Sequence, residues 1–425
     1  MAILLVGAFC TLFTLGFPVA LSIVLPSIGY ILYEELTIEL IAQRMLYAMD
    51  SFPLIAVPVF IFAGNLMNSS GITDRIFHFA DTLVGRIPGG LAQVNIFGSL
   101  IFAGISGAAL ADVGGLGKVE IQAMRKRGFE DSFSGAVTAA SAIVGPIFPP
   151  SIPLIIYGTV TSVSTVKLLI AGIGPALVCV AMMMIMTAFI SLKRGYPRAA
   201  RWPTWRELLA AFLPAIPALL APVFLVGGML SGLFTPTEAA AVVVVYIIVI
   251  SSIGYRELTW RHVLQCALDT LRSSAGILVI VAAASIFGWI LSVEQVPQAV
   301  AKFMVSISDN KYVLLLIVTI GLLIAGMFLD STTATLLIVP IIAGPLVAVG
   351  VDPVHLGLIT IFTLMIGLVT PPMGLSLFLI CDIANVTIRK LIREMVPFYV
   401  PLVFTLVLIT LVPEITTWLP SLMDR

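Results

Sequence analysis

The chain has 425 residues, of which 60% are hydrophobic and only 10% charged, and its mean hydropathy is +1.14. Those values exclude a soluble domain and define an all-α polytopic membrane protein. The formal net charge is zero, which gives no reason to expect nucleic acid or an acidic partner and makes the placement of charges more informative than their sum.

Residues 1–32 read as an N-terminal membrane segment. It carries no charge, and Gly16, Phe17 and Pro18 interrupt it, so one kinked crossing and two short ones fit equally well. The first Lys or Arg is Arg44, so the basic region of a cleavable signal peptide is missing and the segment is expected to remain in the mature protein. Residues 33–165 form a first unit, with a crossing near 48–67, an amphipathic arm helix over 72–86, a Gly-rich hairpin over 91–117 and a broken helix over 132–163. Connecting membrane helices occupy 166–254. Residues 255–387 form a second unit, with a crossing near 273–293, an arm helix over 296–308, a hairpin over 312–349 and a broken helix over 355–385. A C-terminal membrane helix closes the chain over 388–425.

The two units are copies. YEELT at 33–37 recurs as YRELT at 255–259, and GPIFPPS at 145–151 recurs as GLVTPPM at 367–373, both 222 positions on. The arm helices match as well: Ile72, Ile76, Phe79 and Leu83 make one apolar face, and Val296, Val300, Phe303 and Ile307 make its counterpart. Five crossings separate the loop after the first hairpin from its twin, so the copies are expected to be inverted. Charge agrees: Lys118, Arg125, Lys126 and Arg127 follow the first hairpin, whereas 340–353 holds no Lys or Arg. The arm helices then lie along opposite membrane faces.

Unwound chain at membrane depth survives only where something replaces its lost hydrogen bonds. Pro149 and Pro150 remove two amide donors and free the preceding carbonyls to bind a cation, and Pro371 and Pro372 repeat the device. Each hairpin tip adds small or polar residues: Ser106, Gly107 and Ala108 in the first, Asp330, Ser331, Thr332 and Thr333 in the second. Half-helix N-termini at such tips suit a carboxylate, which makes these residues the candidate substrate contacts. Asp330, an intramembrane charge, is assigned to the substrate or ion site. Asp112 and Asp382 stay open between structural and functional roles. Glu238 fits a capping box with Thr235. His78, His262 and His355 are expected at the interfaces, and the scattered cysteines, Cys10, Cys179, Cys266 and Cys381, as small core residues.

DSFPLIAVPVFIFAGNLM (50–67), FAGISGAALADVGGLG (102–117), GPIFPPSIPLIIYG (145–158), LFTPTEAAAV (233–242), FLDSTTATLLIVPI (328–341) and GLVTPPMGLSLF (367–378) together resemble the large membrane subunit of the tripartite ATP-independent periplasmic (TRAP) transporters, the DctM type. The resemblance implies an elevator-type fold of the ion-transporter-superfamily kind in the bacterial inner membrane, importing organic acids with sodium. It also implies two partners, a small four-helix membrane subunit and a periplasmic substrate-binding protein. One sodium site is implied at Ala103, Ser106, Gly145, Phe148 and Pro149, and the repeat extends it to a second at Ala325, Phe328, Gly367, Thr370 and Pro371. Many relatives carry SGS after the first hairpin's turn where this chain has Ser106, Gly107 and Ala108, so one hydroxyl is missing from that tip.

No catalytic residue or cofactor is expected, since neither a phosphate loop nor a nucleophile with its base is present. A proton-coupled transporter, or an anion channel working without a binding protein, is the alternative. Sodium is favoured because the two breaks are rich in carbonyls and poor in carboxylates. Each sodium moved inward gains about 2.3 kcal/mol per 100 mV, so two supply roughly 4.6 kcal/mol, enough for about a thousandfold accumulation of a neutral solute.

Overall fold

Apolar chain in hydrocarbon satisfies its own amides and carbonyls by coiling, and the described residues of this protein are helical throughout, with no strand among them. The computed structural model describes residues 1–424 apart from Asp309; the side chains of Ala2, Ile105, Ser106, Ala111 and Asp424 lie outside the described residues. Among the described residues seven helices are long and apolar enough to cross a membrane, or eight spans if the bent pair Glu39–Met49 and Phe52–Asn68 counts as one.

The N-terminal segment is two helices, Ala2–Thr14 and Val19–Tyr33, that pack on each other across a short turn and therefore run antiparallel. At 1.5 Å per residue they are about 20 and 22 Å long, short of the ~30 Å hydrocarbon core. Leu5, Phe9, Ile23 and Ile31 seat them on Ala283, Phe287 and Ile290 of the long helix Trp260–Val293.

The repeat is written into the backbone. Gly128 and Gly350, 222 positions apart, both take a left-handed conformation, with φ of 86° and 87°. Gly71 and Gln295 do the same just before the arm helices Ile72–Val84 and Val296–Ile307. Both proline pairs, Pro149–Pro150 and Pro371–Pro372, are cis. The two copies are thus related in chain path.

Helices Phe52–Asn68 and Trp260–Val293 form a wall, tied where Asn65 Nδ2 donates to Thr270 Oγ1 at 3.0 Å and Cys266 lies 3.4 Å from the Asn65 carbonyl. The first arm helix is fixed to it by Arg75, which pairs with Glu257 at 2.8 Å and sits 3.8 Å above the Tyr255 ring. Thr235 and Glu238 close a capping box at the head of Pro236–Val249, as the spacing predicts, and Thr204 and Glu207 close another at Trp205–Leu230.

One expectation is corrected: Cys10 is exposed rather than in a core. On the second arm helix Met304 is buried, while Phe303 and Ile307 are 64% and 46% exposed. His355 is buried, with Nδ1 2.7 Å from Thr416 Oγ1.

Candidate transport site

The first split helix runs over Asp131–Ser141, continues as a short tight turn at Ala142–Val144, and resumes at Ile152–Thr161. Ser151 restarts it: its hydroxyl accepts from Leu154 N at 3.2 Å and donates to the Pro146 carbonyl. Gly145 and Pro149 are buried and Phe148 is half-buried. Among the described residues no backbone amide donates to the carbonyls of Gly145, Phe148 or Pro149. These are free oxygens in a low-dielectric setting, which is what a weakly hydrated cation site requires.

The first hairpin goes in along Leu91–Ser106 and returns through Ala109–Asp112, a wide turn at Val113–Gly117 and Lys118–Lys126. Ala103 is buried near the end of the inward arm; the side chain of Ser106, assigned to both sodium and substrate, lies outside the described residues. Gly107 makes the tip possible, because a Cβ there would fall 2.5 Å from the Pro150 carbonyl oxygen. Its own carbonyl accepts from Ile152 N at 3.3 Å, so the tip is sewn to the break. Asp112, undecided from sequence, is 3% exposed and lies against Gly145: a Cβ on that glycine would sit 2.5 Å from its Oδ2. Glu120, which sequence reasoning passed over, is 1% exposed with neither carboxyl oxygen hydrogen-bonded.

The second half is built alike, but two of its carbonyls are already hydrogen-bonded. Its split helix runs over Pro353–Leu368 and Leu375–Ala384, and the hairpin over Lys311–Phe328 and Ser331–Ala348. Gly326 and Gly367 touch, since a Cβ on Gly367 would lie 2.7 Å from the Gly326 Cα. Gly374 N donates to the Met327 carbonyl at 3.1 Å. The Ala325 carbonyl accepts from Leu329 N and the Gly367 carbonyl from Thr370 N, both at 2.9 Å, and the Thr370 hydroxyl donates to Ile366 at 2.6 Å. Pro371 is half-buried and Phe328 is 39% exposed.

Both tips and the wall enclose a cavity of about 440 Å³, a size that suits a small organic ligand. Ala108 from one tip and Asp330, Ser331 and Thr332 from the other line it, facing Asn65 and Ser273 of the wall. Asp382 is exposed and lines no part of it. Asp330 accepts from the amides of Thr332 (2.9 Å) and Thr333 (3.2 Å) and from the Thr333 hydroxyl, capping Ser331–Ala348. Among the described residues no side chain accepts at the head of the helix that follows Ala108. At the second tip the Asp330 carboxylate neutralises its helix end. The wall residues Asn65 and Ser273 were missed from sequence. The signal available for Asn65 was a lone amide in an otherwise apolar run.

A family profile described as "Tripartite ATP-independent periplasmic transporter, DctM component" matches residues 6–415. The chain belongs to this family. The sialic acid TRAP transporter large permease protein SiaM of Vibrio cholerae is 44% identical over 411 residues, covering 96% of this chain and 95% of that one. The sialic acid TRAP transporter permease protein SiaT of Haemophilus influenzae is 39% identical over 96% of this chain, which spans 66% of its greater length. The C4-dicarboxylate TRAP transporter large permease protein DctM of Pseudomonas aeruginosa is 32% identical, covering 92% of this chain and 91% of its own. Among solved structures, the Alcanivorax borkumensis YdaH transporter shares the fold, with a TM-score of 0.53 at 16% identity over 89% of this chain and 87% of its own. As a TRAP large permease the protein is an integral component of the inner membrane and a transporter rather than an enzyme.

Proposed function

We propose that this TRAP permease imports a small carboxylate-bearing organic acid, of the sialic acid type, by sodium symport. The observation that carries the reading is the convergence on one cavity of two hairpin tips and of residues flanking the two breaks, Pro146 and Ile152 beside the first and Met365 and Leu368 before the second; among the described residues no backbone amide donates to the carbonyls of Gly145, Phe148 and Pro149 at the first break. Ala103, Ser106, Gly145, Phe148 and Pro149 form the first sodium site. Ala325, Phe328, Gly367, Thr370 and Pro371 form the second, weaker one, because two of its carbonyls already accept an amide. The substrate carboxylate meets the uncapped tip at Gly107 and Ala108, while Ser331 and Thr332 meet its hydroxyls and Asp330 holds their helix in place. The cavity lies between a fixed wall and the hairpins, which suits an elevator movement of the hairpins along the wall. A periplasmic binding protein delivers the substrate, and a small four-helix subunit stands beside the wall in the lipid bilayer. The names of the Vibrio and Haemophilus relatives support the sialic acid type over the C4-dicarboxylate type by the order of identity.

One observation favours a proton as driver instead: the Asp112 carboxylate lies against Gly145 and the buried Glu120 follows on the same hairpin arm. The experiment is uptake of labelled sialic acid into proteoliposomes holding the chain, its small subunit and the binding protein, with sodium replaced by choline at constant pH. Sodium symport requires uptake to collapse in choline; uptake that persists and follows a pH gradient assigns coupling to protons.

A further inference from the structure

One face of the long helix Trp260–Val293 serves two cavities in succession. Ser273 and Ile277 line the cavity at the hairpin tips, and Val281, Ala284, Gly288 and Ser292 line a second one of about 560 Å³. These positions advance by three or four residues at every step, which makes them a single stripe. Arg256 and Arg261 put the Trp260 end of the helix in the cytoplasm, so the second cavity is on the periplasmic side. It is where an incoming solute arrives.

Arg44 lines this outer cavity. The Ser285 hydroxyl donates to its carbonyl at 3.1 Å, and its guanidinium lies 5.1 Å from the centroid of the Trp289 ring. A guanidinium stacked on an indole spends its face on the ring and keeps its in-plane N–H fork for a carboxylate. Among the described residues no carboxylate pairs with it within 4.0 Å. The inner cavity has no Lys or Arg in its lining, and its one ionisable group is Asp330. Arg44 is therefore the single cation along the stripe among the described residues. Asp50 and hydroxyl-bearing residues, Ser51, Thr159, Ser162 and Ser292 among them, also line the outer cavity. One cation, one anion and several hydroxyls match an acid with one carboxylate and many hydroxyls, and a second carboxylate would meet Asp50.

We propose that Arg44 is a substrate-binding residue: the outer cavity is a first station that takes the carboxylate of a polyhydroxylated monoacid before the hairpin tips collect it. This deepens the reading of the chain as an organic-acid importer and rests on it. Arg44 gives capture on the periplasmic side, and the absence of a cation in the inner lining favours release.

The test is ligand binding read at Trp289, with no ion gradient. The chain with its small subunit in nanodiscs is titrated with N-acetylneuraminate, gluconate or succinate at matched ionic strength, and the fluorescence of Trp289→Phe is subtracted. The expected result is a saturable change with the two monoacids, weaker by about tenfold with succinate and lost in Arg44→Gln. Arg44→Lys, which keeps the charge but not the fork, should bind several-fold more weakly. A melting midpoint in both variants close to that of the native chain shows that they are folded. The proposal is overturned if no acid gives a saturable change, if Arg44→Gln responds like the native chain, or if succinate binds as tightly as the monoacids. Since no gradient is used, this outcome is independent of whether uptake proves to be sodium-driven.

Discussion

Asp330 shows how one side chain at a hairpin tip serves two ends. Its carboxylate occupies the Thr332 and Thr333 amides, so it shapes the cavity by ending a helix as well as by bearing charge. Asp330→Ala loses the cap and should cost about 1–2 kcal/mol, seen as a lower melting midpoint together with reduced uptake. Asp330→Asn keeps an acceptor at the cap; if the midpoint recovers while uptake does not, the charge itself is required. Glu120 is the opposite case, a carboxyl with no bonding partner in a buried position. An ionised carboxyl there is far costlier than a neutral group. Glu120→Gln should therefore leave the melting midpoint unchanged or raised, and a large fall would mean the carboxylate has a bound cation as partner. The sequence made Asp330 visible because a charge in an apolar run is conspicuous. Its capping role and the burial of Glu120 were not legible, since both depend on which surfaces close over the residue, and Glu120 sits among Lys118, Arg125 and Lys126 as an ordinary surface carboxylate would.

At the scale of elements, the two split helices share a design and differ in access. The proline pairs were legible because they act on the chain within a few residues of themselves. What the breaks pack against was not, because glycine contacts such as Gly326 on Gly367 bring together residues from separate helices. The close approach makes a prediction. A Cβ at Gly326 would meet the Leu364 carbonyl at 2.7 Å, so Gly326→Ala should cost about 1–3 kcal/mol. It should also lower sodium-dependent stabilisation, measured as the melting shift between sodium and choline chloride. An unchanged shift in a destabilised protein would detach the second break from ion binding.

For the whole molecule, the question is whether the hairpins move against the wall as a body. Ser273 lines the inner cavity with Ser331, whereas Ser285 stands about 18 Å further along the same helix. With the native cysteines replaced, Ser331→Cys paired with Ser273→Cys should cross-link in the resting protein. Ser331→Cys paired with Ser285→Cys should cross-link only when sodium and substrate drive cycling, and each bridge should stop uptake. If the second pair never forms, the elevator movement is wrong. The stripe from Ser273 to Ser292 also bears on speed. Its outer part, Ala284, Gly288 and Ser292, is small, and Gly288 lies opposite Pro340 of the second hairpin at a distance that leaves a new Cβ in ordinary contact. A new projection at Gly288 would stand in the path of a sliding hairpin, so widening it should slow turnover. If the hairpins slide, the throughput of this transporter depends on the smoothness of the wall as well as on how the wall holds its cargo.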